Sequence, residues 1–243
     1  MSGIKNNVRR TRKRISDSKK VLMILGLLIN TMTAVADDSI KETQGFGTKV
    51  EKQGNVYDIT TNKIKDKNAF NSFDKFHLEQ NNIANMHFGS KGGKEAENLF
   101  NFVKGKIEVN GVINGIRDNK IGGNLYFLSS EGLLVGKTGV INAGTFRAIS
   151  PKKEEYEKAF KDAQNSKVFD GIVPQQDGSI KIPLNPNGSI TVEGKINAVE
   201  DIGLYAADIR LKDTARLKTG ITEFKNLVNI NETIHAGLTG DLT

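Results

Sequence analysis

The side chains that could do chemistry are few and scattered along this 243-residue chain. Its three histidines, His77, His87 and His235, do not have the H-E-x-x-H spacing of a metal site. The chain has no cysteine, no G-x-S-x-G nucleophile motif and no G-x-x-x-x-G-K-[ST] phosphate loop. We therefore predict no catalytic residue, no metal site and no bound cofactor.

One group of charged residues leaves an enzymatic alternative open. Asp201, Asp208, Arg210 and Asp213 could share one outer face, as acidic and basic groups do in polysaccharide-active enzymes. Separated carboxylates on a solvated face are the simpler interpretation. We predict that the protein is not an enzyme, and a turnover assay on acidic glycans would test this.

The N-terminus has the three parts of a secretory signal peptide. Residues 1–20 are strongly basic, and the apolar run 21–29 is too short to span a bilayer. Small residues follow at Ala34 and Ala36, which predicts cleavage before Asp37.

We therefore divide the chain into a signal peptide, residues 1–36, and a domain, residues 37–243. The signal peptide holds eight of the 35 lysines and arginines but one of the 28 acids, so 27 of each remain in the domain. A neutral domain lacks the basic stripe of a nucleic-acid-binding protein, and we predict no nucleic-acid partner. The absence of cysteine fits either a chain that must stay unfolded to cross a second membrane or a core that needs no disulfides.

One short phrase recurs along the domain. It appears as Gly-Val-Ile-Asn at 111–114 and 139–142, and as Gly-Lys-Ile-Asn at 194–197. Strands of three to five residues separated by glycine corners, repeated in this way, predict stacked coils. The fold class that we predict is all-β: a parallel β-helix with N-terminal capping strands and one inserted surface α-helix. A meandering β-sandwich is the alternative, since short strands and turns are typical of it too.

The cap and the insertion are predicted from local patterns. Phe70, Phe73 and Phe76 fit either a helical face or extended structure, and we favour extended structure that covers the first coil. Ser150 and Pro151 are suited to begin a helix over residues 150–163. Its apolar stripe should face the coils, although a partner-binding role is the alternative. Residues 221–243 read as a further coil without a capping segment, so we expect the chain to be part of a longer protein.

These features resemble a known family, the N-terminal secretion domains of two-partner-secretion exoproteins of the filamentous-haemagglutinin type. The likeness is strongest to those of large exported toxins and adhesins of Gram-negative anaerobes. The segments that carry it are 68–76, 98–101, 111–115, 121–127, 132–136 and 140–144.

The resemblance implies a right-handed parallel β-helix with an N-terminal cap. It also implies recognition by an outer-membrane two-partner-secretion transporter with periplasmic chain-binding domains, and a final location outside the cell or on its surface. The residues to which it assigns transporter recognition are Asn68, Phe70, Phe73, Phe76, Asn85, Asn114, Gly122, Gly123, Asn124, Ser129, Ser130, Glu131, Gly132 and Asn142.

The family's Asn-Pro-Asn-Gly turn would fall on residues 129–132, where only Gly132 matches. The same four letters occur at 185–188, where we expect an ordinary turn between coils. The alternative function is a host-cell-binding adhesive module, with the helix at Tyr156 and Phe160 or a coil face as the contact surface.

Overall fold

The computed structural model describes residues 39–90 and 92–221, and in this part the chain forms seventeen strands and one α-helix. The strands are β1 (Ile40–Glu42), β2 (Thr48–Gln53), β3 (Val56–Thr61), β4 (Ile64–Lys65), β5 (Asn68–Leu78), β6 (Ile83–His87), β7 (Asn98–Val103), β8 (Ile107–Val109), β9 (Val112–Arg117), β10 (Lys120–Ile121), β11 (Asn124–Leu128), β12 (Gly132–Val135), β13 (Val140–Ile149), β14 (Ser189–Val192), β15 (Lys195–Tyr205), β16 (Asp208–Leu211) and β17 (Arg216–Lys218). The helix is α1 (Lys153–Gln164), and a 3₁₀ turn follows at Asp170–Ile172.

The strands stack in three parallel ladders, which we call faces A, B and C. Face A joins the first half of β5 with β7, β11 and the second halves of β13 and β15. Face B joins the second half of β5 with β8, β12, β14 and β16. Face C joins β3, β6, β9, the first halves of β13 and β15, and β17. This arrangement confirms the predicted parallel β-helix and rules out the β-sandwich, because a sandwich of meandering strands would pair them antiparallel.

The recurring phrase stacks on itself in successive coils. Val112 pairs with Val140, which in turn pairs with Lys195. The glycine that begins each phrase lies where no side chain fits. A Cβ on Gly139 would lie 2.2 Å from the Val109 carbonyl oxygen, and one on Gly194 would lie 2.2 Å from the Gly139 carbonyl oxygen. We call Gly111, Gly139 and Gly194 the glycine column. The repeat therefore marks the positions at which neighbouring coils come closest.

Antiparallel strands cover the first coil, as predicted. Strand β1 pairs antiparallel with β5, and β2 and β3 form a hairpin whose second strand joins face C. Strand β4 pairs antiparallel with the start of β5. The three phenylalanines lie in the single strand β5, so the extended interpretation of that segment is confirmed.

Aromatic rings fill the interior between the faces. The Phe73 and Phe76 rings are 5.1 Å apart, and Phe76 is 5.2 Å from Phe127 in the coil two steps away. Phe127 continues to Phe146 at 6.4 Å. Each of these side chains is fully buried, so they give the stack a continuous hydrophobic core.

The insertion lies between β13 and β14 and packs on the outside of face A. Tyr156, Ala159 and Ala163 of α1 are buried there in a second apolar cluster, which confirms that the stripe faces the coils. The predicted start of the helix was wrong by two residues, since its N-cap is Lys152 and its first residue is Lys153. Ser150 and Pro151 belong to the end of a coil instead: the Ser150 hydroxyl donates to the Ser130 carbonyl, and Pro151 bridges to Leu184.

The last described coil differs from the others in its exposure. Ile209, Leu211 and Leu217 are 44%, 55% and 38% exposed, although their counterparts in earlier coils are buried. The predicted coil at 221–243 lies outside the described residues apart from Ile221. Within residues 39–90 and 92–221, no helix is long and apolar enough to cross a membrane.

Candidate functional site: the asparagine ladders and the coil corner

An unbroken column of amide side chains runs along face C. Asn114 Nδ2 donates to Asn85 Oδ1 at 3.2 Å, and Asn142 Nδ2 donates to Asn114 Oδ1 at 2.9 Å. Asn197 Nδ2 adds a further step to Asn142 Oδ1 at 2.9 Å. All four side chains are buried, so each bond satisfies groups that would otherwise have lost water at a cost. We call this column the face C ladder.

The face C ladder ends on a carboxylate. Asp58 Oδ1 accepts the Asn85 amide at 3.3 Å and lies 3.1 Å from His87 Nε2. Every amide in the ladder donates toward the N-terminal end, so the last residue must accept. An ionised carboxylate does this better than another amide would, because it carries acceptors only.

A second ladder follows face A. Asn98 Nδ2 donates to Asn68 Oδ1 at 2.9 Å, and Asn124 Nδ2 donates to Asn98 Oδ1 at 2.8 Å. Three residues further along β5 and β7, Asn71 Nδ2 donates to Asn101 Oδ1 at 3.0 Å. The amides thus fix which coil lies on which, since a shift of one residue would break every one of these bonds at once.

The corner at residues 129–132 is a hydrogen-bonded turn. The Gly132 amide donates to the Ser129 carbonyl at 3.1 Å, and the Glu131 amide donates to Ser129 Oγ at 3.1 Å. The Ser129 hydroxyl itself donates to the Gly105 carbonyl of the preceding coil at 2.7 Å. Ser129 therefore closes its own turn and ties it to the coil before.

The turn at residues 185–188 has the same hydrogen bonds. The Gly188 amide donates to the Asn185 carbonyl at 3.0 Å, and the Asn187 amide donates to Asn185 Oδ1 at 3.1 Å. Asn185 Nδ2 also donates to the Ser130 carbonyl at 2.6 Å, directly onto the earlier turn. The expected turn between coils is confirmed, and it occupies the same corner one coil later.

Glycine is required at position 132 of the earlier turn. Gly132 has φ of +91°, and a Cβ there would lie 1.8 Å from the Ser189 carbonyl oxygen. No other residue type avoids both the strained backbone and the clash. At the first position the requirement is only a side-chain oxygen, which serine supplies as well as asparagine does. Position 132 therefore requires glycine, whereas position 129 accepts serine as well as asparagine.

The other predicted recognition residues are also parts of the fold. Phe73 and Phe76 lie in the interior, while Phe70 stacks on Phe100 in the outer cluster at 5.7 Å. The Gly122 amide donates to the Gly115 carbonyl at 3.0 Å as the chain returns from the β9–β10 hairpin.

Gly123, at the same point of the chain, has φ of +73°, and a Cβ there would lie 2.5 Å from the Phe88 ring. It therefore fills a position that needs glycine for backbone conformation and for space alike.

Burial sorts these residues by what an external partner could reach. Glu131 is the one exposed member of the set, and five are partly exposed: Asn68, Gly122, Gly123, Asn124 and Ser130. The remaining members are buried: Phe70, Phe73, Phe76, Asn85, Asn114, Ser129, Gly132 and Asn142. The buried members can meet another protein only before the chain folds.

The charged residues considered for catalysis are not brought together. Asp201 lies on face A and pairs with Arg147 at 2.7 Å, while Asp208 and Arg210 pair with each other on face B at 2.5 Å. Asp213 lies in the turn that follows β16. Across the two described ranges, no group of three or more His, Asp or Glu side chains has the arrangement of a metal site.

Two ionisable groups near the cap have shifted pKa values. The Lys104 ammonium, 2.6 Å from Asp74, lowers the pKa of that carboxyl group, and a hydrogen bond from Thr43 adds to the effect. Burial raises the pKa of the Tyr156 phenol far above its ordinary value. The Tyr156 hydroxyl is buried and has no hydrogen-bond partner in the described part of the chain.

Sequence reasoning missed five members of the ladders. Four of them, Asn71, Asn98, Asn101 and Asn197, stand in segments whose likeness or repetition was recognised, so position in the repeat could have identified them. The fifth is Asp58. Asp58 follows no repeated phrase, and nothing in its own sequence neighbourhood indicates that it accepts the last amide.

The predicted cleavage site at Ala34, Ala36 and Asp37 lies outside the described residues, as does His235. No family model matches the chain, and no curated protein matches it.

Proposed function

We propose that this chain is a secretion module, which a partner outer-membrane transporter recognises in the periplasm and which then starts β-helix folding outside the cell. The proposal takes its partner from the resemblance of segments 68–76 and 98–144 to two-partner-secretion domains. It takes its mechanism from the contacts between the coils.

One observation carries the proposal: the coil stack is closed by antiparallel strands at its N-terminal end, and each later coil is built on the one before it. The ladder bonds between adjacent early coils join residues 26 to 30 positions apart. A chain that emerges N-terminus first can therefore secure one coil for about every 28 residues delivered. Folding of this kind needs no segment from further along the chain until the insertion is reached.

Burial indicates the state in which a transporter would act. Most of the residues that the resemblance assigns to recognition lie inside the stack, hydrogen-bonded to their own coils. We therefore infer that the transporter binds the extended chain, for example by strand addition to its own sheets. Folding then withdraws the same residues from the transporter, which would make release irreversible.

The test is secretion of a reporter fused after Thr243, in a Gram-negative host that expresses the transporter encoded beside this chain. We expect Asn124→Ala, Gly132→Ala and deletion of residues 68–88 each to reduce the secreted reporter tenfold or more. The reporter should accumulate in the periplasm, because export across the inner membrane does not need these residues.

A matched control keeps the comparison fair. Asn119→Gly alters an asparagine of the exposed β9–β10 turn, where φ is +57° and glycine fits, so secretion should stay unchanged. Undiminished secretion of all three test variants would overturn the proposal. Saturable binding of the purified chain to host cells, together with undiminished secretion, would favour the adhesive module instead.

A further inference from the structure

The helix of the insertion reaches back to the N-terminal cap. The Phe160 ring stacks on Phe46, in the turn between β1 and β2, with centroids 5.5 Å apart and an angle of 14° between the rings. Lys63, between β3 and β4, donates from Nζ to the Gln164 carbonyl at 2.9 Å. Its ammonium also lies 5.2 Å from the centre of the Phe46 ring. The C-terminal end of α1 thus contacts two turns of the cap, the one between β1 and β2 and the one between β3 and β4.

These contacts combine three favourable interactions at the boundary between α1 and the cap, which we call the seam. Stacked aromatic rings add to the apolar area that they bury. A lysine that donates to a carbonyl at the C-terminus of a helix satisfies a group the helix leaves free and complements the helix dipole. The same lysine gains a cation–π contact with Phe46.

Other contacts hold the helix on the coils themselves. Phe102 of β7 lies 5.9 Å from both Tyr156 and Phe160. At the end of the insertion, Asn185 Nδ2 donates to the Ser130 carbonyl of the coil corner. The insertion therefore leaves the stack after β13, crosses face A, and reaches the antiparallel strands that cover the first coil.

The cap's contacts with α1 are much less local than its contacts with the coils. The Lys63–Gln164 bond joins residues 101 positions apart, whereas Thr43–Asp74 and Thr48–Ser72 join residues 31 and 24 positions apart. Contacts of long sequence separation close larger loops and form later. The cap can pair with the first coil early, but its outer turns stay uncovered until residue 164 is in place.

A pocket of about 180 Å³, open to solvent, lies along the seam and is lined by Thr43, Gln44, Gly45, Phe46, Lys63 and Gln164. The glycines of the coils, in contrast, lie where backbone atoms leave no room for a methyl group. The Lys63–Gln164 hydrogen bond is exposed to solvent. Elements held by solvent-exposed hydrogen bonds are among the first to open in the native state.

We propose that α1 is a clasp that locks the N-terminal cap onto the coil stack. When α1 is docked, the turns at 43–47 and 61–65 are held between the helix and the first coil. When α1 lifts off, those turns open while the ladders of faces A and C stay paired. The strands of the cap stay paired with the first coil, but its turns at 43–47 and 61–65 are held closed only in a chain that contains the docked insertion. This holds whether or not the chain is a secretion module.

The test is hydrogen–deuterium exchange of the full chain, read by mass spectrometry on peptides from the cap, from α1 and from β11 to β14. Phe160→Ala removes the ring that meets Phe46 and should speed exchange of the 43–47 and 61–65 peptides tenfold or more. Lys63→Met removes the ammonium but keeps an apolar stem, so it should speed the same peptides about threefold and leave α1 intact. Glu157→Ala, on the exposed side of the same helix, is the matched control and should change neither region.

Two results would overturn the proposal. Faster exchange in α1 with unchanged cap peptides in Phe160→Ala would mean that the helix rests on the cap without holding it. Equal acceleration of the cap and of β11 to β14 would mean that α1 stabilises the whole stack rather than the cap. Slow exchange in β11 to β14, with a selective rise in the cap, is the result that the clasp predicts.

Discussion

The coil stack and the insertion are held by different kinds of contact. In the stack, small polar residues at fixed spacing bond along the coils, and glycines let backbones meet where a Cβ would lie 2.2 Å from a carbonyl oxygen. In the insertion, aromatic rings meet at 5.5 to 6.2 Å beside a solvent-open pocket at the cap. Both regions bury aromatic rings, but the stack also depends on close backbone approach and on the amide ladders. The two regions should therefore differ in their tolerance of substitution.

The largest effect is expected at the glycine column. Gly139→Ala places a methyl group against the Val109 carbonyl, which cannot move without shifting a whole coil. We expect a loss of about 3 kcal/mol in the free energy of unfolding, measured from urea titrations. Gly105→Ala is the control, because a Cβ at that coil corner meets nothing within 4 Å and its stability should change by less than about 0.5 kcal/mol. Equal effects at the two glycines would show that close approach does not specify the stack.

The next effect is expected in the middle of the face C ladder. Asn114→Ala leaves Asn85 Oδ1 without its donor and Asn142 Nδ2 without its acceptor, both in buried positions. Leaving two buried groups unpaired should cost about 2 to 3 kcal/mol of unfolding free energy. Asn119→Gly, in an exposed turn, should cost almost nothing. A ladder variant as stable as the turn variant would contradict the role given to the amides.

In the insertion the expected effect has the opposite sign. Tyr156→Phe removes a buried hydroxyl that lacks a partner, and should raise the unfolding free energy at pH 7 by about 1 kcal/mol. Burial raises the pKa of this phenol, so the folded chain holds its proton more tightly than the unfolded chain.

The protonated phenol makes its full contribution to the unfolding free energy below pH of about 10, and this contribution is lost as the pH rises further. Urea midpoints between pH 8 and 11 should therefore fall more steeply in the parent chain than in Tyr156→Phe. Parallel curves would show that the phenol is not buried as described.

The smallest effect is expected where the cap meets the coils through charge. Asp74 is partly exposed, so Asp74→Asn should cost only about 0.5 kcal/mol of unfolding free energy at pH 7. The pKa of Asp74 is lowered, chiefly by Lys104, so its contribution is present above pH of about 4 and is lost as the pH falls below that value. The stability difference between the parent chain and Asp74→Asn should thus shrink as the pH is lowered from about 5 toward 2. Glu157→Gln, on the exposed side of α1, is the control and should change the free energy of unfolding at pH 7 by less than about 0.5 kcal/mol.

The same difference explains what could be predicted from the sequence. The phrase at 111–114, 139–142 and 194–197 repeats because stacking requires a glycine where each coil approaches the next. The stacked-coil fold could therefore be predicted from the sequence alone. The start of α1 could not be predicted in this way. Ser150 and Pro151 are residue types that often begin a helix, but the Ser150 hydroxyl donates instead to the Ser130 carbonyl of a neighbouring coil corner. Asp58 and the contact between Phe46 and Phe160 depend on partners 27 or more residues away that follow no repeat.

We infer that a transporter binds this chain before it folds, because eight of the fourteen residues that the resemblance assigns to recognition are buried in the folded chain. The most direct measurement is binding of the 243-residue chain to the periplasmic domains of its partner transporter, with folded chain compared to chain freshly diluted from urea. The account predicts binding at least tenfold tighter for the freshly diluted chain, decaying as the coils form. Equal or tighter binding by the folded chain would contradict it and would place recognition on the exposed surface around Glu131.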